Sequence, residues 1–367
     1  MKRLVLLLSL ASMLLIGRSA AASTVRVLLP DQDNLQYMAF WIARGAGYFE
    51  DEGIDVVLSI PSAPQQTTEY FRRGDSDVAV MPPPQYLELI AGRFPVVLVA
   101  NLLQNDPINL VVRKSVMQER KLSHDMPIGE RLKGLRGLRV GVAPNPPTRL
   151  RALFASQGMD ADRDIQLVIL HGPEQNYAFG DGRVDALYAH TPYLEEALVN
   201  QDAEMLVNQS GGEVPELAMR QIHAIVCTRS FVERYPGTTE GIVRAIARAE
   251  KLLHADRKAA REVLLRQFPS MDPRKVETIV TIYEPAVPQT PRVSVDGLKP
   301  ALALFPASRP APSLDGIDLT AYVAPRFAEA VIGGRSRRGL LVAAGAAVFV
   351  ACVLVGARMQ RRRRLKR

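Results

Sequence analysis

The chain has 367 residues, room for two domains or for one body of two lobes, and a formal charge of +8. That charge belongs to the ends: residues 1–22 carry Lys2, Arg3 and Arg18, and residues 335–367 carry ten bases, with no acid in either stretch. The middle keeps 33 of the 46 bases against all 38 acids, a net of −5, which argues against a basic groove for nucleic acid.

Lys2-Arg3, an apolar run from Leu4 to Ile16 and Ala20-Ala21-Ala22 have the layout of an export signal cut after Ala22. The run is short for a bilayer span. No cysteine lies near the cut, so a lipid anchor there is not expected.

Val25 to Leu29 reads as a strand. Asp31, Asp33 and Asn34 follow, with Asp33 or Asn34 suited to cap a helix. Leu35, Met38, Ala39, Ile42 and Phe49 fall at helical spacing, and Gly45 and Gly47 are expected to loosen that helix without ending it. Gly53 suits a left-handed stop, and Ile54 to Leu58 reads as the next strand. This β-α-β unit implies parallel pairing with a right-handed crossover. Ligands of open α/β sheets bind beyond the carboxyl ends of the strands, so Asp33, Gln36 and Tyr37 are candidate ligand contacts. Asp33 serving only as a cap and Tyr37 only as core are the alternatives.

The wording of this unit, a helix running into GYFEDEGIDV, resembles the first lobe of periplasmic solute-binding proteins of the nitrate/sulfonate/taurine and thiamine-pyrimidine group. Later segments match that group in order, over roughly residues 25–290. RRGDSDVAVMPPPQYL resembles its G-x-x-D-(V/I)-A strand, which ends at the cleft, so Met81 and Gln85 join the candidates. Where the group usually offers backbone N–H groups, Pro82-Pro83-Pro84 removes them. Pro95 to Ala100 and Ile108 to Lys114 read as strands, and Ser115 to Glu130 as a polar, irregular connection between lobes.

GLRGLRVGV (residues 134–142) resembles the group's opening of the second lobe. Asn145-Pro146-Pro147-Thr148 then enters a helix through Ser156, stopped at Gly158. The resemblance places a ligand anion at this helix start, with Asn145 and Thr148 as hydrogen-bonding groups. The two prolines weaken such a cradle, which points from nitrate or sulfonate toward a neutral or partly aromatic solute. After a strand at Ile165 to Leu170, GRVDALYAHTPY (residues 182–193) resembles the segment lining the cleft from the second lobe, which makes His190, Thr191 and Tyr193 candidates. An isolated His is also commonly a satisfied polar group, and none of the histidines has metal spacing.

Ile222 to Thr228 reads as a strand returning to the first lobe. Helices follow, one capped by Thr238 or Thr239 and one begun by Asp272-Pro273 and ended at Glu284-Pro285. Val295 to Leu304 reads as a further helix and Leu319 to Val331 as a last amphipathic stretch. Cys227 and Cys352 are the two cysteines, and Cys227 reads as free and buried on a strand. Gly339 to Ala357 holds no charge and no proline. Nineteen helical residues reach about 28 Å, a bilayer core. The heavier basic flank behind them predicts a cytoplasmic tail and a body outside.

The expected architecture is α/β: a two-lobed periplasmic-binding-protein fold of type II with a C-terminal transmembrane helix. Its expected parts are a signal peptide (1–22), a first lobe (23–114), a second lobe (115–219), a first-lobe return with C-terminal helices (220–334), the membrane helix (339–357) and a basic tail (358–367). The expected role is a monomeric, membrane-tethered binding protein in the periplasm, passing a small organic or anionic solute to an ABC permease subunit of the inner membrane. No cofactor, metal or nucleic acid is expected, and no catalytic constellation marks an enzyme. A tethered ligand sensor and a thiamine-pyrimidine synthase-like enzyme are the alternatives.

Overall fold

The computed structural model describes residues 23–32, 34–63, 66–306 and 308–333. The expected signal (1–22), Asp33, the expected membrane helix (339–357) and the tail lie outside the described residues. Among those described, no helix is long and apolar enough to cross a membrane.

Two five-stranded sheets share one topology. In the first, β1 (Ser23–Leu28) lies between β2 (Ile54–Ser59) and β3 (Val78–Met81), all parallel. The sheet continues with β4 (Val96–Asn101) at the edge, and the late strand β10 (Ala224–Thr228) enters antiparallel between β3 and β4. In the second sheet, β5 (Asn109–Arg113) is the strand antiparallel to its neighbours. The others run in the order β7 (Gln166–Ile169), β6 (Arg139–Val142), β8 (Ala186–Ala189), then β5, then β9 (Ala203–Val207). Helices cover both faces of the first sheet, so β3 and β4 are buried at every position and read as unbroken apolar runs.

This topology places the cleft. The carboxyl ends of β1, β3 and β4 point to one edge of the first sheet. β10 begins at that edge, since Ala224 pairs with Met81 and Asn101. In the second sheet β5 begins where β8 and β9 end, with Asn109 opposite Ala189 and Leu110 opposite Val207. Both segments that cross between sheets, 102–108 and 208–223, therefore lie along the cleft. They pair with each other through Leu102 N–H to the His223 carbonyl (2.8 Å) and Ile222 N–H to the Leu103 carbonyl (2.8 Å).

Several local expectations need correction. The first crossing falls before β5, so residues 109–114 belong with the second sheet rather than the first lobe. Gly47, at φ 73°, ends the helix Met38–Gly45, because a left-handed residue cannot carry the right-handed ladder onward; a separate turn, Tyr48–Asp51, follows. The stretch 115–130 is not irregular but holds two short helices, Lys114–Glu119 and Ile128–Lys133, anchored by Val116, Met117 and Leu132. Their few apolar anchors give no legible period. Neither Thr238 nor Thr239 is a cap: the helix Pro236–Ala255 starts earlier at its proline, and Thr239 bonds back to the Tyr235 carbonyl. The expected helix at 295–304 is only a short 3-10 turn, Pro300–Leu304, since Pro300 has no N–H to extend a ladder.

Candidate functional site

A cavity of about 750 Å³ opens between the two lobes at the ends of these strands. On the first lobe, the Asn34 side chain accepts the Gln36 N–H (2.9 Å) and holds the turn Leu35–Tyr37. That turn sets Gln36 and Tyr37 into the wall, each nearly buried. Tyr37 meets His223 edge-on, ring centroids 4.9 Å apart. Pro82 to Pro84 follow β3 and open the helix Pro83–Ala91, with Gln85 in its first turn at the cavity. Pro83 sits where a helix N–H would be unpaired anyway, so the proline run costs this helix little.

On the second lobe, β8 ends and the chain turns through His190, Thr191, Pro192 and Tyr193, all at the cavity. The Thr191–Pro192 peptide is cis, and the His190 and Tyr193 rings lie 6.0 Å apart. Tyr283 secures this turn from behind: its hydroxyl accepts the Thr191 N–H (3.2 Å) and donates to the Pro107 carbonyl (3.0 Å). Asn145 and Arg149 line the wall beside it, at the start of the helix Pro147–Ser156.

The electrostatics are those of a nearly neutral pocket. Arg149 Nη1 donates to Asp106 Oδ1 at 2.9 Å, a pair in which the carboxylate is the more buried (4% against 18% exposed). Burial holds His190 below its usual range, helped by the Arg149 charge and opposed by its bond to the Thr191 carbonyl and by Asp106. Burial, then His190 and Arg149, push His223 down to about 3. Both imidazoles are neutral. The His190 Nδ1–H donates to the Thr191 carbonyl, which leaves Nε2 as an acceptor. His223 Nδ1 and Arg149 Nε are buried without a hydrogen-bond partner among the described residues.

The structure brings most of the sequence candidates together: Gln36, Tyr37 and Gln85 face Asn145, His190, Thr191 and Tyr193 across the cavity. Two candidates do not line it. Met81 is fully buried in the layer behind the wall with Ala79 and Val226, since the chain reaches the cleft only at the prolines beyond it. Thr148 lies in the first helical turn, and the rotation of about 100° per residue in a 3.6-residue turn gives the cavity to its neighbour Arg149 instead. Asp33 lies outside the described residues.

Arg149, Asp106 and His223 were not legible as site residues. The signal for Arg149 was a cation in the first turn of a helix, where the macrodipole disfavours it unless an acid answers it. Among the described residues no cluster of three His, Cys, Asp or Glu could hold a metal.

The sequence model of the NMT1-like family matches residues 33–266. A curated relative, the 4-amino-5-hydroxymethyl-2-methylpyrimidine phosphate synthase of Aspergillus parasiticus, is 25% identical over 244 residues, 63% of this chain and 67% of its own length. Among solved structures, the alkanesulfonate-binding protein SsuA of Xanthomonas axonopodis pv. citri, bound to MOPS, aligns with a TM-score of 0.56 at 17% identity, over 83% of this chain and 99% of SsuA. The desulfurization enzyme DSZB aligns with a TM-score of 0.55 at 17% identity, over 86% and 100%. These structures share with this chain the α/β, two-sheet, periplasmic-binding-protein-like fold.

Proposed function

The chain belongs to the NMT1-like family, and we propose that it binds a small organic solute in the cleft between its lobes and delivers it, outside the cytoplasm, to an ABC permease subunit. The supporting observation is the cavity lined from both lobes at the place where both crossing segments run. A solute touched by both walls favours the closed arrangement through contacts that the open one lacks. The binding protein acts as a monomer, held at the inner membrane by residues 339–357. The synthase relative and DSZB keep an enzyme as the second reading. The described residues lining the cleft include no cysteine and no lysine, which supports binding over thiol or Schiff-base chemistry there.

The test is a panel of sulfonates, pyrimidines, aromatic acids and their amides, read by melting temperature and by small-angle scattering. One class of solute should raise the melting temperature and lower the radius of gyration without being consumed. His190→Ala and Tyr193→Ala should each weaken its binding by about 1–3 kcal/mol, with both free variants still folded and melting cooperatively. Intact affinity with a large loss of stability would put the solute elsewhere, and turnover of a panel member would favour the enzyme.

A further inference from the structure

We propose that Asp106 sets the charge selectivity of the cleft: by pairing with Arg149 it cancels the cation that the second lobe presents, so the site takes an uncharged solute and turns anions away. The inference rests on the solute-binding reading of the cavity.

A guanidinium is a permanent cation whose fork matches carboxylate and sulfonate oxygens, so Arg149 alone would be an anion anchor. It is not alone. Asp106 lies behind it, 4% exposed and outside the cavity lining, with its Oδ1 2.9 Å from Arg149 Nη1. The same oxygen accepts the Ile108 N–H at 3.1 Å, which fixes the carboxylate in the crossing segment. An incoming anion would meet a cation already matched, with a second negative charge directly behind it, in a setting where charges are poorly screened.

The rest of the lining points the same way. Its other charged residues among those described are Asp31 and Arg309, and Arg309 is paired with Glu88. Two cations therefore stand against three carboxylates. The helix behind Arg149 offers only a weakened anion cradle, because Pro146 and Pro147 lack N–H groups and the Arg149 N–H is taken by the Pro146 carbonyl (2.9 Å). What the walls do offer is hydrogen bonding and flat apolar surface: Arg149, an acceptor on His190, the amides of Gln36 and Gln85, and the rings of Tyr37 and Tyr193. An uncharged, flat solute carrying both acceptors and donors fits that set.

The probes are benzoate and methanesulfonate, with benzamide and methanesulfonamide as their uncharged counterparts, titrated by calorimetry into the full-length protein. Asp106→Asn keeps an oxygen for the Ile108 N–H and removes the charge. It should bind benzoate or methanesulfonate at least tenfold more tightly than the wild type, with no comparable gain for the two amides. Adding Arg149→Gln should abolish the gain. Where the Asn variant does not fold, Asp106→Ser replaces it. A wild type that binds the anions as tightly as the folded variant, or a folded variant that gains nothing, overturns the proposal. The solute panel separates the two readings: compaction by a solute without an anion gain in Asp106→Asn sinks this inference alone, while an anion gain with no compacting solute sinks the delivery reading alone.

Discussion

Two buried residues at the seam between the lobes titrate in opposition. Glu195 is fully buried in the helix Tyr193–Asn200, and burial pushes its carboxyl up to about 7, with its own backbone N–H, the Thr191 hydroxyl and Lys275 pulling the other way. Its usual value is near 4.5, so the folded state holds a proton that the unfolded state releases above that pH. Its stabilising contribution is full below 4.5 and is lost as pH rises to about 7. His223 does the reverse. Its usual value is 6.5 and its folded value about 3, so its contribution is full above 6.5 and is lost as pH falls toward 3. Between 4.5 and 6.5 the two slopes cancel. Glu250, also buried with its carboxyl raised, and His190, also lowered, slope in the same window, so the comparison is with the unaltered chain: relative to it, Glu195→Gln should gain roughly 2–3 kcal/mol from pH 4.5 to 6.5. His223→Gln should lose stability relative to the unaltered chain over the same window. Urea melts at four pH values measure both, and parallel profiles for the two variants would refute the opposition. The sequence exposed neither effect, because burial at a seam depends on which helix arrives from elsewhere in the chain.

The element that arrives here is the helix Pro273–Tyr283. Its start was legible: Asp272 accepts the Arg274 N–H (2.8 Å), and Pro273 occupies the first turn. Its task was not. It packs on Arg257–Gln267 on one side and on Tyr193–Asn200 on the other, where Lys275 meets Glu196 and Arg274 donates to Asn200 Oδ1 (3.0 Å). Its last residue, Tyr283, carries the hydroxyl that joins Thr191 N–H to the Pro107 carbonyl. Tyr283→Phe leaves both backbone groups buried and short of a partner, and should cost about 1–3 kcal/mol in urea melts. Tyr86 is the control. It is equally buried, but its hydroxyl has no hydrogen-bond partner among the described residues, so Tyr86→Phe should be neutral or stabilising. Equal costs for the two substitutions would mean that ring packing, not the hydroxyl bridge, matters at Tyr283. More generally, strands ended by glycine or proline and helices opened by Asp-Pro were readable, since those signals are local. The short helices of 115–130 and the brace at the seam were not, since both are stabilised by distant contacts.

At the scale of the whole molecule, the described body and the chain beyond it differ in charge and hydropathy. The last described helix, Pro325–Ile332, buries Phe327 and Ala328 and packs on β4 and on the helix Pro236–Ala255. Ala324 N–H also bonds the Leu98 carbonyl (2.9 Å), so the chain leaves from the first lobe. The tether proposed above would then hold the first lobe and leave the second free to close over a solute. The body's net charge of −5 contrasts with the ten bases of residues 335–367, seven of which follow the uncharged run Gly339–Ala357. Bases concentrated behind an apolar span are retained in the cytoplasm, so the proposed arrangement would put the acidic body outside. Alkaline phosphatase, active only after export, reports the arrangement. Fused after Gly334 it should be active, and fused after Arg367 it should be inactive. Moving the four bases Arg361 to Arg364 to a site just before Gly339 should reduce the contrast, because the flanking charges set the orientation. Strong activity of the Arg367 fusion in the unaltered chain would mean that residues 339–357 do not span with the tail inside, and the tethered arrangement would fall with it.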